Sequence, residues 1–144
     1  MERVRITVGS LEFLARWEEA RSPRTCAALR ARLPFAGRLI QGRWSGEAAW
    51  VPLGELDLGV GPEDPTSYPA PGELLFHPVG ISESEILLPY GPTRFASKAG
   101  QLAGNHVLTI VEGRDLLPEL GRLVVWEGAQ PIRFAAIVGG VHGG

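Results

Sequence analysis

Short runs in which apolar and polar residues alternate, divided by glycine and proline, constrain the fold of this chain most. Val4, Ile6 and Val8 alternate with polar residues, as in a strand that buries one face. Gly9-Ser10 is typical of a two-residue type II′ turn, and the alternation resumes over Leu11–Trp17. The chain holds 19 glycines and 12 prolines in 144 residues. This pattern predicts a mainly β fold, a barrel or sandwich with one or two short helices.

One amphipathic helix is predicted after the first hairpin. Ser22-Pro23 is typical of a helix start, because serine can cap the first N–H groups and proline costs no hydrogen bond at the first helical position. Cys26, Leu29 and Leu33 share one face, and Pro34 ends the helix. We expect this face to pack on a sheet.

The rest of the chain shows the same alternation of strand-like runs and turns. A second hairpin is predicted around Ser45-Gly46, with strands at Arg38–Trp44 and Glu47–Leu53. The segment from Gly54 to Gly72 is dense in turn-forming residues and is predicted to be a long ordered loop. The other predicted elements are strands at Glu73–His77, Glu85–Pro89, Asn105–Glu112 and Ile132–Val138, and a short helix near Arg114–Leu120.

Composition limits the class of protein. Residues 1–144 fit one domain, and a net charge of −2 without a basic stripe argues against nucleic acid as a partner. No apolar run is long enough for a membrane span. The one cysteine, Cys26, cannot form an intramolecular disulfide, so we expect a reducing, cytoplasmic location. Cys26 lies on the apolar helix face, which favours packing over reactivity.

Three stretches resemble the cyclophilins, in the family's order. Ser22-Pro23-Arg24-Thr25 resembles the start of the first cyclophilin helix. Gly72–Gly80 matches the spacing of the Gly-x-Leu-x-Met-Ala-Asn-x-Gly segment, and Ser84–Leu88 follows in place of Ser-Gln-Phe-Phe-Ile. Leu102–Leu108 is similar to Leu-Asp-Gly-Lys-His-Val-Val. The resemblance implies a closed or nearly closed cyclophilin-like β-barrel over the whole chain.

A narrower resemblance is to a short bacterial branch of cyclophilin-like proteins without an established activity. Members of that branch have Trp-Ser-Gly-Glu and Gly-Asn-His in similar settings. These motifs stand here at Trp44–Glu47 and Gly104–His106.

The resemblance implies a pocket around His106, which matches the histidine of the family's pocket. Glu85 stands where the pocket glutamine is expected, and Leu87 stands where the proline-binding phenylalanine is expected. His77 and Pro78 replace an Ala-Asn pair that binds peptide backbone, and Pro78 has no N–H to donate.

The catalytic arginine of the cyclophilins has no counterpart in this sequence. Arg43 lies on the corresponding predicted hairpin, in a register that the sequence does not fix, and a slip of one residue would turn it to the opposite face. The sequence leaves open whether the chain is an enzyme, and these departures argue against prolyl isomerase activity.

Other candidate ligand-binding residues come from local chemistry. Arg43, Trp44 and Glu47 place a cation, an aromatic ring and a carboxylate at a hairpin tip. They form either a pocket wall in which Arg43 anchors an anion, or an ion pair of Arg43 with Glu47 beside a packed Trp44. Tyr90, Arg94 and Lys98 supply polar groups near the His106 strand, where Arg94 or Lys98 could bind a carboxylate ligand, or else they form solvated surface.

A metal site and a cofactor are not predicted. His77, His106 and a carboxylate from Glu83 or Glu85 would suit a metal, but no close spacing such as His-x-His supports one. Gly104 and Gly113 flank a strand and do not form a phosphate-binding loop.

Three functions remain open from the sequence. The leading hypothesis is a cleft beside the barrel that binds a small anionic or amide-bearing ligand. The second is peptidyl-prolyl isomerisation of a peptide ligand. The third is a structural or assembly role as a homodimer, formed by a sheet edge or by the apolar run Leu123–Trp126.

Overall fold

Strands and short helices form most of the computed structural model, which describes residues 2–80 and 82–138. The described strands are β1 (Glu2–Val8), β2 (Leu11–Trp17), β3 (Phe35–Gln41), β4 (Gly46–Gly54), β5 (Glu73–His77), β6 (Ser84–Thr93), β7 (Ala96–Ser97), β8 (Gly100–Gln101), β9 (Asn105–Glu112) and β10 (Gln130–Val138). The helices are α1 (Pro23–Arg30) and α2 (Leu117–Arg122), and α2 lies between a 3₁₀ turn (Arg114–Leu116) and a π-helical turn (Leu123–Glu127).

Eight strands close an antiparallel barrel, in the order β1-β10-β3-β4-β6-β5-β9-β2 with β2 paired back to β1. The predicted mainly β barrel with short helices is therefore confirmed. The period-2 alternation explains the core: Val4, Ile6 and Val8 point inward and are fully buried, and Phe13 and Ala15 meet them from β2. β7 and β8 form a separate small hairpin outside the barrel.

The first hairpin is as predicted. β1 and β2 pair from Arg3 opposite Arg16 to Val8 opposite Leu11, so that Gly9 and Ser10 alone form the turn. Gly9 has a φ of +58°, which a type II′ turn requires at its first central position and which glycine adopts without a Cβ clash.

Helix α1 begins where the sequence predicts, but the prediction that Ser22 caps it is wrong. The Ser22 side chain makes no capping hydrogen bond. The carboxylate of Glu63 accepts hydrogen bonds from the backbone N–H groups of Arg24 (3.0 Å) and Thr25 (2.8 Å) instead. A charged acceptor at a helix N-terminus interacts more favourably with these N–H groups than a hydroxyl does. The helix ends at Arg30, one turn earlier than predicted.

The second hairpin exists, and β4 extends the predicted strand Glu47–Leu53 by one residue at each end, but the predicted turn and the predicted bounds of the first strand are wrong. The connection comprises residues 42–45, so Arg43 and Trp44 lie in it and not on a strand. The N–H of Gly42 donates to the carbonyl of Ala48 at 2.8 Å and closes the loop. Ser45 and Gly46 do not form a two-residue turn: Gly46 begins β4 opposite Thr93 of β6, and Ser45 bonds Arg94 and Ala96, which follow β6.

The later elements match the predictions closely. β5 and β9 have the predicted bounds, β6 extends the predicted strand to Thr93, and β10 begins two residues early at Gln130. The predicted helix near residue 114 is a 3₁₀ turn that continues into α2, with Pro118 in the first turn, where proline is tolerated. α1 packs against β9, and Leu117 and Leu120 of α2 contribute to the barrel core. In the part of the chain that the structure describes, no helix is long and apolar enough to span a membrane.

Candidate functional site

A cleft of about 350 Å³ lies on the outer face of the barrel beside β3, β4 and β6. Its volume lies within the range of pockets that hold small molecules. It is lined by the end of β3, the 42–45 connection, outward residues of β4 and β6, and the β7 region, namely Ile40, Gln41, Gly42, Arg43, Trp44, Ser45, Trp50, Ser82, Glu83, Glu85, Leu87, Ala96, Ser97 and Lys98.

A small apolar cluster on the outside of the barrel supports this cleft. Residues of β6 alternate, so that Ile86 and Leu88 face the core while Leu87 faces outward. Leu87 packs there with Ala48, Leu75, Phe95 and Leu102, all of them buried, and with Trp50 at the edge. The segment 94–104 covers the cluster, and its hairpin forms one wall of the cleft.

Ser45 joins two walls of the cleft. Its hydroxyl donates to the carbonyl of Ala96 and accepts from the N–H of Ala96, both at 3.0 Å. Its carbonyl accepts from the N–H of Arg94 at 3.0 Å. These three bonds fix the 42–45 connection, which carries Arg43 and Trp44, against the segment that carries Ser97 and Lys98.

Two cations lie at the mouth of the cleft. Arg43 and Lys98 are exposed, and among residues 2–80 and 82–138 neither forms a salt bridge. In particular, the ion pair between Arg43 and Glu47 that the sequence left open does not form. Trp44 also lines the cleft and is 55% exposed.

Glu85 lies deeper in the cleft and is only 6% exposed. No salt bridge to its carboxylate occurs in the described parts of the chain. Burial, together with the nearby negative charge of Glu83, raises the pKa of Glu85 to about 8. At neutral pH the carboxyl group is therefore largely protonated, and it can donate a hydrogen bond to a ligand.

His77 lies next to this cleft but does not line it. It stands directly opposite Glu85 in the β5–β6 ladder. Its Nδ1 is 3.0 Å from the carbonyl of Ala103, and its ring meets Phe95 edge to face at 5.8 Å.

His106 lies outside the cleft, in a separate polar network on β9. Its Nε2 is 2.7 Å from the Thr109 hydroxyl, which donates to Glu18 at 2.5 Å. Its Nδ1 is 3.4 Å from the guanidinium of Arg21, which pairs with Asp64. Because Arg21 can only donate, Nδ1 is the acceptor and Nε2 carries the proton. Burial lowers the pKa of His106, although Glu18 opposes this shift.

The remaining candidates lie at the margins. The Tyr90 hydroxyl donates to the side chain of Gln41 at 2.6 Å, and Tyr90 lines a second, shallower pocket with Glu47 and residues of α2. Burial raises the pKa of Tyr90. Arg94 is exposed and contributes only its backbone to the site. The structure thus brings Arg43, Trp44, Glu85 and Leu87 together, and places His77, His106, Glu47, Tyr90 and Arg94 elsewhere.

Sequence reasoning missed three residues, Ser45 and Trp50, which line the cleft, and Asn105, which does not. Ser45 belongs to the Trp-Ser-Gly-Glu motif and Asn105 to the Gly-Asn-His motif, so the resemblance to the bacterial branch could have indicated both residues. Asn105 accepts from the N–H of Glu63 and donates to Thr25 and to the carbonyl of Gly61, which holds the long loop against α1. Trp50, at the edge of the cleft, belongs to neither motif, so nothing in the nearby sequence indicated a role for it.

No group of three or more potential metal ligands occurs among residues 2–80 and 82–138. His77 and His106 lie on neighbouring strands, each bonded to its own partners.

Comparisons with known proteins give a family and a fold. A family model described as "Protein of unknown function (DUF3830)" matches residues 4–136. No curated protein matches the chain. A similar solved structure is that of McbB in complex with tryptophan, with 18% identity and a TM-score of 0.72 over 92% of this chain. This chain covers 44% of that one, so it spans less than half of its length. At 18% identity, the likeness between this chain and McbB shows a similar fold and carries no statement about function.

Proposed function

We propose that this chain, which belongs to the DUF3830 family of proteins of unknown function, binds a small anionic or amide-bearing ligand in the cleft beside its barrel. One observation carries the proposal. One concave site combines two cations, Arg43 and Lys98, with the side chains of Trp44 and Trp50 and the buried carboxyl group of Glu85, and neither cation forms a salt bridge within the described part of the chain. Sites of this kind hold a ligand by apolar contact and orient it with a few polar groups.

The chemistry of the lining defines the ligand class. Arg43 and Lys98 favour a carboxylate or another anion at the mouth. Glu85, when protonated, donates a hydrogen bond to an oxygen acceptor such as an amide carbonyl. The aromatic side chains of Trp44 and Trp50 favour contact with a planar apolar group. A ligand with an apolar ring and an acidic or amide group satisfies all three sets of contacts.

We also infer that the barrel is of the cyclophilin type. The stretches that resemble cyclophilins fall on α1, on β5 with β6, and on β9, and β6, β5 and β9 are neighbours in the barrel. The structural likeness to McbB supports a barrel of this kind. Because McbB was solved with tryptophan, indole compounds are reasonable first probes.

Calorimetric titration with three indole probes tests the binding proposal. Indole-3-acetate carries an anion, N-acetyltryptophanamide carries amides, and tryptamine carries only a cation. We expect the first two to bind and tryptamine to bind at least about tenfold more weakly, because a cation meets Arg43 and Lys98. Arg43→Gln should weaken indole-3-acetate about five- to tenfold through loss of a charge-assisted hydrogen bond.

Arg94→Gln is the matched control, because Arg94 is an exposed cation near the same wall that does not line the cleft. It should leave the affinity unchanged. The absence of binding by all three probes at millimolar concentration, or an equal loss in both arginine variants, would contradict the proposal.

A further inference from the structure

The cleft beside the barrel carries both signs of charge on its walls. Arg43 lines it from the connection between β3 and β4, and Lys98 lines it from the β7–β8 turn. Ser45 bonds the first of these walls to the second. Glu83 and Glu85 line the cleft at the beginning of β6. In the part of the chain that the structure describes, none of these four charged side chains forms a salt bridge, so the cations and the carboxyl groups are available to a ligand.

Glu85 is the least compensated of these four groups. It is 6% exposed, and burial and the negative charge of Glu83 both oppose its ionisation. Within residues 2–80 and 82–138, no cation or hydrogen-bond donor offsets these two effects. Pro52 stands opposite Glu85 on β4, and His77 stands opposite it on β5 without a salt bridge between them. A cation that enters the cleft with a ligand would therefore stabilise the Glu85 carboxylate.

The protonation state of Glu85 makes the cleft unfavourable for a ligand that carries only a cation. With a pKa of about 8, the Glu85 carboxyl group is about 90% protonated at pH 7. The charges that remain in the cleft are those of Arg43, Lys98 and Glu83, so their sum is positive. A ligand carboxylate at the mouth neutralises this excess, and an ammonium group of the same ligand then reaches Glu85 without net repulsion.

We propose that the ligand of the cleft is a zwitterion, whose carboxylate binds Arg43 and Lys98 and whose ammonium group binds Glu85, an inference that rests on the cleft being the ligand site. Binding includes one proton transfer. The O–H bond of Glu85 breaks, its electron pair stays on the carboxylate oxygen, and the proton passes to the solvent buffer. The carboxylate then accepts charge-assisted hydrogen bonds from the N–H groups of the ammonium. The ligand class is therefore that of amino acids and related carboxylates that carry an amine.

Two indole probes that differ by one ammonium group test the zwitterion. L-Tryptophan carries a carboxylate and an ammonium group, and indole-3-propionate is the same molecule without the ammonium group. At pH 8 we expect L-tryptophan to bind about tenfold more tightly, through its charge-assisted hydrogen bonds to Glu85. This advantage should fall roughly fivefold from pH 8 to pH 7 and roughly tenfold more from pH 7 to pH 6, because the Glu85 proton is harder to remove at lower pH.

Calorimetry in buffers with different enthalpies of ionisation counts the protons released on binding. At pH 7 we expect about 0.9 of a proton per bound L-tryptophan and almost none for indole-3-propionate, because only the ammonium group ionises Glu85. Glu85→Gln should abolish both the proton release and the pH dependence of the affinity ratio, since glutamine does not titrate. Glu55→Gln is the matched control, because Glu55 is an exposed carboxylate that does not line the cleft, and this variant should keep both.

Two results would overturn the zwitterion: a ratio of the two affinities that stays constant from pH 6 to pH 8, or equal proton release by the two probes. Both readouts use the wild-type chain, so they stand even if Glu85→Gln does not fold. Tight binding of indole-3-propionate without an advantage for L-tryptophan would count against the zwitterion alone. Absence of binding by these two probes and by indole-3-acetate would instead overturn the ligand site and, with it, the zwitterion.

Discussion

At the scale of single residues, the buried polar groups of this barrel differ in whether hydrogen bonds or ion pairs offset the cost of their burial. Glu63 and His106 are buried or half-buried with several partners each, so their hydrogen bonds stabilise the fold. Among the residues that the structure describes, Glu85 is buried without a salt bridge, and the Nε2 of His77 has no hydrogen-bond partner. Burial of an uncompensated group costs free energy, and groups of this kind are concentrated at functional sites.

Glu85 should make stability depend on pH. Its pKa of about 8 in the folded chain exceeds its ordinary value of 4.5, so the folded state holds the proton more tightly. This contribution to the free energy of unfolding is full below pH 4.5 and is lost as pH rises toward 8, by up to about 1.4 kcal/mol per pH unit. Glutamine does not titrate, so Glu85→Gln removes this decrease. The free energy of unfolding of the variant, relative to that of the wild type, should therefore grow as pH rises over this range.

Urea unfolding at several pH values between 5 and 8 measures this difference. Glu83→Gln, which removes an exposed carboxylate, should keep most of the wild-type slope. Parallel curves for wild type and Glu85→Gln would show that burial of Glu85 does not control the dependence.

At the scale of elements, helices and connections that the local sequence predicts are held in place by hydrogen bonds from distant parts of the chain. Helix α1 has its own start and its own apolar face, yet its first N–H groups are bonded by Glu63 from the long loop. The loop is held in turn by Asn105 of β9. The 42–45 connection likewise depends on its bonds to the segment 94–96. Each element is thus fixed by a contact that sequence spacing does not reveal.

Loss of the Glu63 carboxylate should destabilise α1. Burial would raise the pKa of Glu63, but hydrogen bonds from Thr25 and Arg24 lower it below its usual value, as expected for a carboxylate that accepts several N–H and O–H groups. We expect Glu63→Ala to lower the free energy of unfolding by about 1–2 kcal/mol at pH 7. Glu55→Ala, an exposed carboxylate earlier in the same loop, should cost about 0.5 kcal/mol or less. Equal losses in the two variants would rule out the capping role.

Ser45→Ala should loosen the cleft wall. The variant loses both hydrogen bonds to Ala96 and keeps the backbone bond to Arg94. We expect faster hydrogen exchange of the Ala96 amide and a loss of about 1–2 kcal/mol in stability. Ser97→Ala is the control, since its hydroxyl bonds only the nearby Ala99 amide. Unchanged exchange at Ala96 would mean that Ser45 does not hold the wall.

At the scale of the whole molecule, barrel closure and the exposed side chains decide which surfaces can associate with another protein chain. Within residues 2–80 and 82–138, the eight barrel strands leave no sheet edge for strand addition, because each pairs on both sides in the closed order. Exposed apolar surface is found instead on the π-helical turn, where Val125 is 50% and Trp126 is 79% exposed.

We expect these two residues to mediate self-association into a homodimer, since exposed large apolar side chains mark interaction surfaces. Light scattering coupled to size exclusion should show a dimer at micromolar concentration, and Trp126→Ser should shift it toward monomer. Tyr68→Ser, at another exposed aromatic residue, should have no effect. A wild-type chain that is monomeric across this range would contradict the prediction.

We expect no prolyl isomerase activity from the molecule. Leu87 is 1% exposed and packed in the outer cluster, so it offers no open aromatic cup for a proline ring. Glu85 also replaces the amide that the cyclophilin resemblance implies at its position. In a protease-coupled assay on an Ala-Pro peptide, the rate should equal that of buffer, with an active cyclophilin as positive control. A rate above buffer would reopen this function.

The sequence by itself determined several elements of this protein. Alternation over Val4–Val8, the Gly9-Ser10 turn, the Ser22-Pro23 helix start and the bounds of β5 and β9 all follow from local rules, because backbone propensity and the period of side-chain burial act within a few residues. The candidates Arg43, Trp44, Glu85 and Leu87 were also found from local chemistry and resemblance. The sequence could not show that they meet.

Only the tertiary structure decided which side chains meet. His106 and Glu85 lie on strands that are not neighbours, since β5 stands between β9 and β6. A register shift at Leu74/Leu75 sets the pairing of His106 with β5. Thr25 finds its partner Glu63 38 residues away. Such contacts depend on strand order and register, and a slip of one residue reverses the face of every side chain in a strand. The strand order of the barrel therefore decides that the candidate site lies in the cleft beside Glu85 and not around His106.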